Sequence, residues 1–370
     1  MKIRRLAVAC GLALTACAAP GTVHPRTTPS AASSPGPPAG SRYHTLGPAR
    51  EIGTGYLVGT SLDGSAAYVS DVDATSKPGC EGRPRSMLFR LPVTGATREL
   101  LADSSAGVSR GPGGHVALAE YCEEFFTSLQ VGTESPDGHL SDLKAVELRV
   151  NGQPTPSRFS WSSDGTHLLG WATGPEGPPT PATGKIWSID PATGAASELF
   201  DIGSGPVVAV AQLAGGTYVV AVGLGSVDPA TGSSYRIALR DTTGVEQAHL
   251  DGDGFAIAPD GRQVAVFGIG VSLIAPGQTA PTGLVGPDPT GRVTSAGFSP
   301  DGRAIAYIVT EGQDHRVSIV TIPNGTVTPV PAPGFVASAL FTGDGAALVL
   351  STLSGELRDK TTVLLVPFGP

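Results

Sequence analysis

The stretch FSPDGRAIAYI at residues 298–308 recurs along the chain, and this repeat constrains the fold more than any other feature. A close copy begins at residue 255, partial copies begin at residues 159, 340 and 59, and two degenerate copies carry Gly-Gly in place of Asp-Gly. Aligned on the second glycine, the anchors are Gly64, Gly114, Gly165, Gly216, Gly261, Gly302 and Gly345. Their spacings of 41 to 51 residues are typical of propeller blades.

Each repeat also carries a second hairpin signal about 30 residues after the first. Examples are LFRLPVTGATREL at 88–100 and VSIVTIPNGTVTPV at 317–330, each a strand, a tight turn with glycine and a strand. One unit is therefore four strands, a to d, and the sequence predicts an all-β, seven-bladed propeller of four-stranded antiparallel blades. Because two anchors are degenerate, six or eight blades stay open. Residues 43–52 are expected to supply strand d to the last blade, beside residues 361–368, and so to close the ring.

The Asp-Gly pair raises the question of whether Asp301 is a catalytic carboxylate. Proline presets the first turn position, aspartate hydrogen-bonds nearby backbone N–H groups, and glycine accepts a left-handed conformation. Five such aspartates recur around one predicted ring, which is too many for one active site. The pattern therefore indicates a turn and not a centre of chemistry.

The N-terminal region predicts export. Residues 1–17 combine a basic start, a short apolar run and the ending LTAC, which resembles a bacterial lipobox with Cys17 as the lipidated residue. An ordinary secretory signal ending in small residues is the alternative. Residues 18–42, rich in Pro, Ser, Thr and Gly, indicate a disordered tether. The propeller domain is then 43–370, and the expected location is extracytoplasmic, lipid-anchored to the cell membrane.

The aromatic or apolar residue followed by Ser-Pro-Asp-Gly and an apolar strand resembles the TolB-like, WD-type propeller repeat. The resemblance covers about residues 43–370 and implies the propeller architecture far more than a function. It also implies a role in envelope protein complexes, although the domain that precedes the propeller in TolB is missing here. Prolyl-oligopeptidase-type peptidases carry similar repeats, but this chain ends within the last blade.

Charge and motifs argue against several function classes. The net charge is −8 and no Lys/Arg-rich run follows the first residues, so nucleic acid is not an expected partner. No Walker loop, HExxH, CxxC or GxGxxG is present, and the histidines are scattered, so no cofactor and no metal are predicted. The predicted inner strands lack His, Asp and Glu. Arg110, Arg158 and Arg292 lie in or beside them and form either a weakly basic channel mouth or hydrogen bonds to neighbouring loops.

The long loops that join strands b and c are the predicted binding face, because loops on a rigid scaffold often carry binding residues. The candidate residues there are Asp71, Asp73, Arg83, Arg85, Glu123, Glu124, Phe125 and Trp171. The sequence favours a monomeric binding or scaffolding module for an envelope protein or glycan. The alternative is a propeller enzyme, a lyase or hydrolase of cell-wall carbohydrate that uses loop carboxylates.

Two cysteines remain after processing. Cys80 and Cys122 fall in the b–c loops of the first and second predicted blades, on one face of neighbouring blades. In an oxidising compartment this placement predicts a disulfide between them. A buried thiol at the end of strand b is the alternative for Cys122.

Overall fold

The fold was obtained as a computed structural model. The structure describes residues 41–72, 86–102, 107–122, 125–150, 156–172, 183–224, 233–278, 280–287, 291–312, 314–354 and 360–369.

Strands dominate the described part of the chain, with short 3-10 helices at Ser41–His44 and Pro112–Gly114. The strands are β1 (Arg50–Gly53), β2 (Tyr56–Thr60), β3 (Ala66–Val72), β4 (Ser86–Pro92), β5 (Glu99–Ala102), β6 (Gly107–Arg110), β7 (His115–Cys122), β8 (Phe125–Glu134), β9 (Leu140–Ala145), β10 (Arg158–Trp161), β11 (Leu168–Trp171), β12 (Thr183–Ile189), β13 (Ala196–Ser204), β14 (Val207–Gln212), β15 (Tyr218–Gly223), β16 (Tyr235–Arg240), β17 (Glu246–Gly252), β18 (Gly254–Ile257), β19 (Val264–Phe267), β20 (Val271–Ile274), β21 (Thr282–Val285), β22 (Arg292–Phe298), β23 (Ala304–Glu311), β24 (Asp314–Thr321), β25 (Val327–Val330), β26 (Phe335–Phe341), β27 (Ala347–Ser354) and β28 (Lys360–Pro367).

These strands form seven antiparallel sheets of four strands each, which confirms the predicted seven-bladed propeller. Six blades use four consecutive strands, from β2–β5 in blade 1 to β22–β25 in blade 6. Blade 7 has the order β26, β27, β28 and β1, so its outermost strand comes from the N-terminal side of the domain. Arg50 of β1 is paired with Leu365, and a further bridge joins Leu46 to Phe368.

The apolar core lies between blades. Each junction between neighbouring blades has its own cluster of buried side chains, because successive residues of a strand alternate between the two faces of a sheet. None of the helices in the described part of the chain has the length and apolar character needed to span a bilayer.

Antiparallel order divides the loops between two faces. The a–b and c–d turns lie on one face, which we call the Asp-Gly face. The strand ends that the b–c connections join lie on the other face, which we call the b–c face. Backbone contacts agree with this placement: the N–H of Asp63 in the a–b turn of blade 1 donates to the carbonyl of Pro136 in the c–d turn of blade 2.

Candidate functional site

The aspartates of the repeat are turn residues, as the sequence predicts. Asp301 Oδ1 accepts hydrogen bonds from the Ser299 hydroxyl at 2.7 Å and from the Arg303 N–H at 3.2 Å. Gly302 follows at φ 69°, in the left-handed region that favours glycine. The Ser299 hydroxyl also accepts the Ala304 N–H, so the side chains of the turn fix both ends of the a–b connection.

The same bonding set recurs around the ring. A Ser or Thr two residues before the aspartate donates to its Oδ1, and the N–H two residues after it also donates there. The equivalent pairs are Ser61 with Asp63, Ser162 with Asp164, and Thr342 with Asp344. For Asp164 the Ser162 hydroxyl is the largest favourable contributor and lowers the pKa of the carboxyl to about 2. This recurrence assigns the carboxylates to structure.

One further turn of this type was not recognised in the sequence. Ser135-Pro-Asp-Gly-His139 connects β8 and β9 as a c–d turn, with the Ser135 hydroxyl 2.5 Å from Asp137 Oδ1. That bond and the neighbouring His139 ring lower the pKa of Asp137 to about 2. The signal was available, since Ser-Pro-Asp-Gly is the repeat's own motif, but here it stands at the second hairpin of the blade.

The candidate b–c residues are only partly described. Asp73, Arg83, Arg85, Glu123 and Glu124 lie outside the described residues, and of Phe125 only the backbone, at the start of β8, is described.

Asp71, near the end of β3, is half-buried and forms an ion pair with Arg98 at 2.5 Å. The Arg98 guanidinium lies over the Phe89 ring, 4.2 Å from its centroid. The Asp71 carboxylate is therefore held against its own blade.

Trp171 corrects one expectation. Its side chain is only 3% exposed, packs with Leu169 and Phe200 between blades 3 and 4, and donates its indole N–H to the Val208 carbonyl. Position 171 is the last residue of β11, where alternation directs the side chain into the blade junction rather than toward the rim. Trp171 is a core residue and not part of an exposed binding face.

The cysteine predictions stay untested. Cys17 and Cys80 lie outside the described residues. Cys122 is the last residue of β7, where its backbone pairs with Phe125, and its side chain is not described.

For Arg110 the sequence left two alternatives open, a basic channel mouth or hydrogen bonds to neighbouring loops, and its buried side chain fits neither in full. Its side chain is 5% exposed, and its Nε lies 2.8 Å from Glu134 Oε2, close enough for an ion pair but not aligned for a hydrogen bond. The guanidinium stacks over the Tyr68 ring at 4.4 Å, and the Tyr68 hydroxyl donates to Glu134 at 2.7 Å. Burial raises the pKa of Tyr68 above its ordinary value. This buried group belongs to the junction of blades 1 and 2.

A polar row extends from that group to the surface. It consists of cross-strand partners on the four strands of blade 1, namely Gly59, Tyr68, Arg90 and Glu99. Two of them, Tyr68 and Arg90, form hydrogen bonds to blade 2. Because Gly59 has no side chain, the Arg110 guanidinium fits beside it; a Cβ there would meet Arg110 Nη2 at 3.4 Å.

The outer end of the row joins the two blades through charges. Arg90 Nε donates to the Asp137 carbonyl at 2.8 Å, and Arg90 Nη1 lies 3.5 Å from Glu99. The His139 ring lies between carboxylates, with Nδ1 2.9 Å from Asp137 and Nε2 3.2 Å from Glu99. The row is therefore a cross-blade charge network that ends on the Asp-Gly face.

The contacts of this network join blade 1 to blade 2. A nucleophilic triad needs a hydroxyl bonded to an imidazole, whereas the Ser135 hydroxyl donates to Asp137 and to the His139 carbonyl. Within the described ranges no three His, Cys, Asp or Glu side chains are placed to hold a metal ion.

Comparisons with known proteins establish the fold. No protein-family model and no curated protein sequence matches the chain. Among solved structures it is similar to oligogalacturonate lyase in complex with manganese, with a TM-score of 0.59 and 12% identity over 86% of this chain and 90% of that one. Hydrazine synthase of Kuenenia stuttgartiensis has a TM-score of 0.54 and 14% identity over 89% and 98% of the two chains. The C-terminal WD40 domain of Sif2 has a TM-score of 0.51 and 12% identity over 86% and 98%. At these identities the similarity shows that the chain has a WD40-like propeller fold.

Proposed function

We propose that the protein is a lipid-anchored extracytoplasmic propeller that acts as a binding or scaffolding module for a cell-envelope protein or glycan. The lipobox-like ending at Cys17 and the tether at residues 18–42 support the anchor. The propeller supplies a rigid carrier for loops, which is the arrangement that binding proteins commonly use.

The observation that carries this proposal is the place where the chain enters the domain. Tyr43 is fully buried at the junction of blades 6 and 7, and its hydroxyl donates to Asp301 at 2.8 Å. Its ring makes edge contacts with Phe341 at 5.5 Å and Phe368 at 5.1 Å. Asp301 lies in an a–b turn, so the chain enters at the Asp-Gly face.

This entry point separates the tether from the proposed binding face. A flexible chain of the tether's length has a root-mean-square reach of roughly 25–30 Å, which holds the domain near a membrane while allowing it to rotate. With the tether attached at the Asp-Gly face, the long b–c connections lie on the opposite face. That face is the one we assign to the partner.

The test combines labelling with crosslinking in intact cells. A fatty-acid probe should label the wild-type protein, and Cys17→Ala should abolish the label. A photo-crosslinking residue at position 83, in a b–c loop, should capture a specific envelope component, whereas one at Asn324, in the exposed c–d turn of blade 6 on the Asp-Gly face, should capture less.

Two results would overturn the proposal. One is unlabelled wild-type protein released freely into the medium. The other is equal capture from both positions, which would remove the assignment of the b–c face. Depolymerisation of purified cell-wall carbohydrate by the purified domain would favour the lyase or hydrolase alternative, for which the likeness to oligogalacturonate lyase gives only a shared fold.

A further inference from the structure

Every blade has a row of four cross-strand partners directed toward the following blade. In blade 3 this row is Ser160, Leu169, Ser188 and Ser197, on strands β10 to β13. Leu169 packs in the cluster between blades 3 and 4, which shows that the row is directed toward blade 4. The row of Gly59, Tyr68, Arg90 and Glu99 in blade 1 is the equivalent row.

The third member of the row differs among the blades. In blade order it is Arg90, Val131, Ser188, Leu239, Leu273, Ile319 and Leu365. Blades 2, 4, 5, 6 and 7 place a branched aliphatic side chain there, and blade 1 places an arginine that reaches blade 2. Blade 3 places only the small hydroxyl of Ser188, which is partly exposed.

A groove lies where the missing side chain would be. It has a volume of about 350 Å³ and is lined by Thr166, His167, Ser188, Asp190 and the segment 195–197. This volume is at the lower end of the range of about 300–1,000 Å³ that small-molecule sites occupy. All of the lining residues belong to blade 3 and lie at or near its a–b and c–d turns, so the groove opens near the Asp-Gly face.

The lining has a distinct chemistry. Ser188 and Ser197 supply hydroxyls that can donate and accept. The Thr166 hydroxyl donates to Asp164 at 2.9 Å and lies 3.0 Å from Nδ1 of the His167 imidazole. Asp190 Oδ1 accepts the N–H groups of Ala192 and Thr193, and the Thr193 side chain also hydrogen-bonds to this carboxyl, so the carboxylate is fixed at the groove.

No Lys or Arg is among the lining residues in the described part of the chain, so the groove offers no permanent positive charge to an anion. One carboxylate is too few for a dedicated divalent-cation site. Hydroxyls that can donate and accept hydrogen bonds, beside one carboxylate, can bind a neutral ligand that is rich in hydroxyl groups.

We propose that this groove, on blade 3 near the Asp-Gly face, is a binding site for a neutral saccharide unit. The site lies on the face opposite the b–c loops and does not depend on the lipid anchor. It is therefore a function additional to the binding proposed above, and the two can fail separately.

The test measures binding of neutral saccharides to the purified domain by calorimetry and by amide chemical shifts. The probes are glucose, galactose, mannose, N-acetylglucosamine and the β-1,4-linked disaccharides of glucose and N-acetylglucosamine. At least one should bind at millimolar or lower concentration and shift the amides of residues 166–167 and 188–197.

Two variants locate the site. Ser188→Leu introduces the side chain that blades 4, 5 and 7 already carry, so it should fill the groove, abolish binding and leave the fold intact. Asp190→Asn keeps an oxygen for the turn and should weaken binding about ten-fold through loss of a charged acceptor. Asp241→Asn is the matched control, because Asp241 accepts the N–H groups of Thr243 and Val245 in the equivalent turn of blade 4.

Three results overturn the proposal: no probe binds the wild-type domain, Ser188→Leu binds as the wild type does, or Asp190→Asn and Asp241→Asn have the same affinity. A folded Ser188→Leu variant is shown by unchanged cooperative unfolding. If that variant fails to fold, the Asp190 and Asp241 pair still decides the question.

Discussion

The junction between blades 1 and 2 and the junction between blades 6 and 7 have the same strand geometry but different contents. Among the described residues, the junction of blades 6 and 7 buries fourteen side chains in one apolar cluster, including Tyr43. The junction of blades 1 and 2 buries four such side chains and adds the Arg110–Glu134 ion pair and the polar row.

The difference shows that one backbone arrangement can be filled either by apolar side chains or by paired charges. Ile319 fills the third position of the row in blade 6 without any requirement for a partner. Arg90 fills the same position in blade 1 but needs Asp137 and Glu99 around it. Apolar packing tolerates small changes of shape, whereas a buried charge is costly as soon as its partner is removed. The two junctions should therefore respond differently to substitution.

The largest effect is expected from removal of the N-terminal segment at blades 6 and 7. Relative to a chain that begins at residue 41, one that begins at residue 54 loses buried Tyr43 and Ile52 together with β1. Each buried side chain contributes several kcal/mol, so unfolding in urea should be easier by more than about 5 kcal/mol. Equal urea midpoints for the two chains would show that the segment does not hold the ring closed.

The second effect concerns the ion pair at blades 1 and 2. Glu134→Ala leaves the Arg110 charge buried without its partner and should cost about 3–5 kcal/mol in urea unfolding. Glu311→Ala, which removes one member of the exposed Glu311–Arg316 pair, should cost at most about 1 kcal/mol.

A double substitution sharpens this test. Arg110→Met with Glu134→Gln removes both charges and keeps an acceptor for the Tyr68 hydroxyl. Its stability should return to within about 1 kcal/mol of the wild type or exceed it. If the double variant is as unstable as Glu134→Ala, the loss comes from packing and not from an uncompensated charge.

A smaller loss of stability is expected when the hydroxyl of Tyr43 is removed and its ring is kept. Tyr43→Phe keeps the contacts with Phe341 and Phe368 and removes only the bond to Asp301, so it should cost about 1–2 kcal/mol. Tyr56→Phe is the control at a side chain that is 46% exposed and should change stability by less than about 0.5 kcal/mol. Equal effects of the two variants would mean that the bond to Asp301 does not fix the chain entry.

The smallest effect is an acid dependence of two turns, one at the junction of blades 1 and 2 and one in blade 3. Asp164 and Asp137 have a pKa of about 2 in the folded protein, below the ordinary 3.8, because hydroxyl and N–H donors stabilise the ionised form. Their contribution is present above the ordinary value and is lost as the pH falls from about 4 to 2. Asp164→Asn should flatten the decline of the urea midpoint between pH 4 and pH 2.5. A decline as steep as that of the wild type would contradict the assignment.

The repeat determined the architecture because each copy contains the residues that form its own a–b turn. Ser299, Asp301 and Gly302 form one a–b connection from neighbours in sequence, and such local bonding can be recognised without the rest of the molecule. Spacing between the copies then gave the blade count and the antiparallel order. The prediction that the b–c loops share one face has the same basis, since strand order follows from local hairpins.

The contents of the blade junctions were decided only by the tertiary structure. Trp171 was expected at a rim and lies in the core. Arg110, for which a channel mouth and bonds to neighbouring loops were both open, lies against Glu134. In the sequence, nothing distinguishes Arg110 and Glu134 from other polar residues near strand ends. Their contact depends on how the end of β6 lies against the end of β8. Ser188 is likewise unremarkable in sequence, and only its alignment with the equivalent positions of the other blades shows that a large side chain is missing. Cross-strand register and the packing of one sheet on the next set these relations, and both depend on residues distant in the chain.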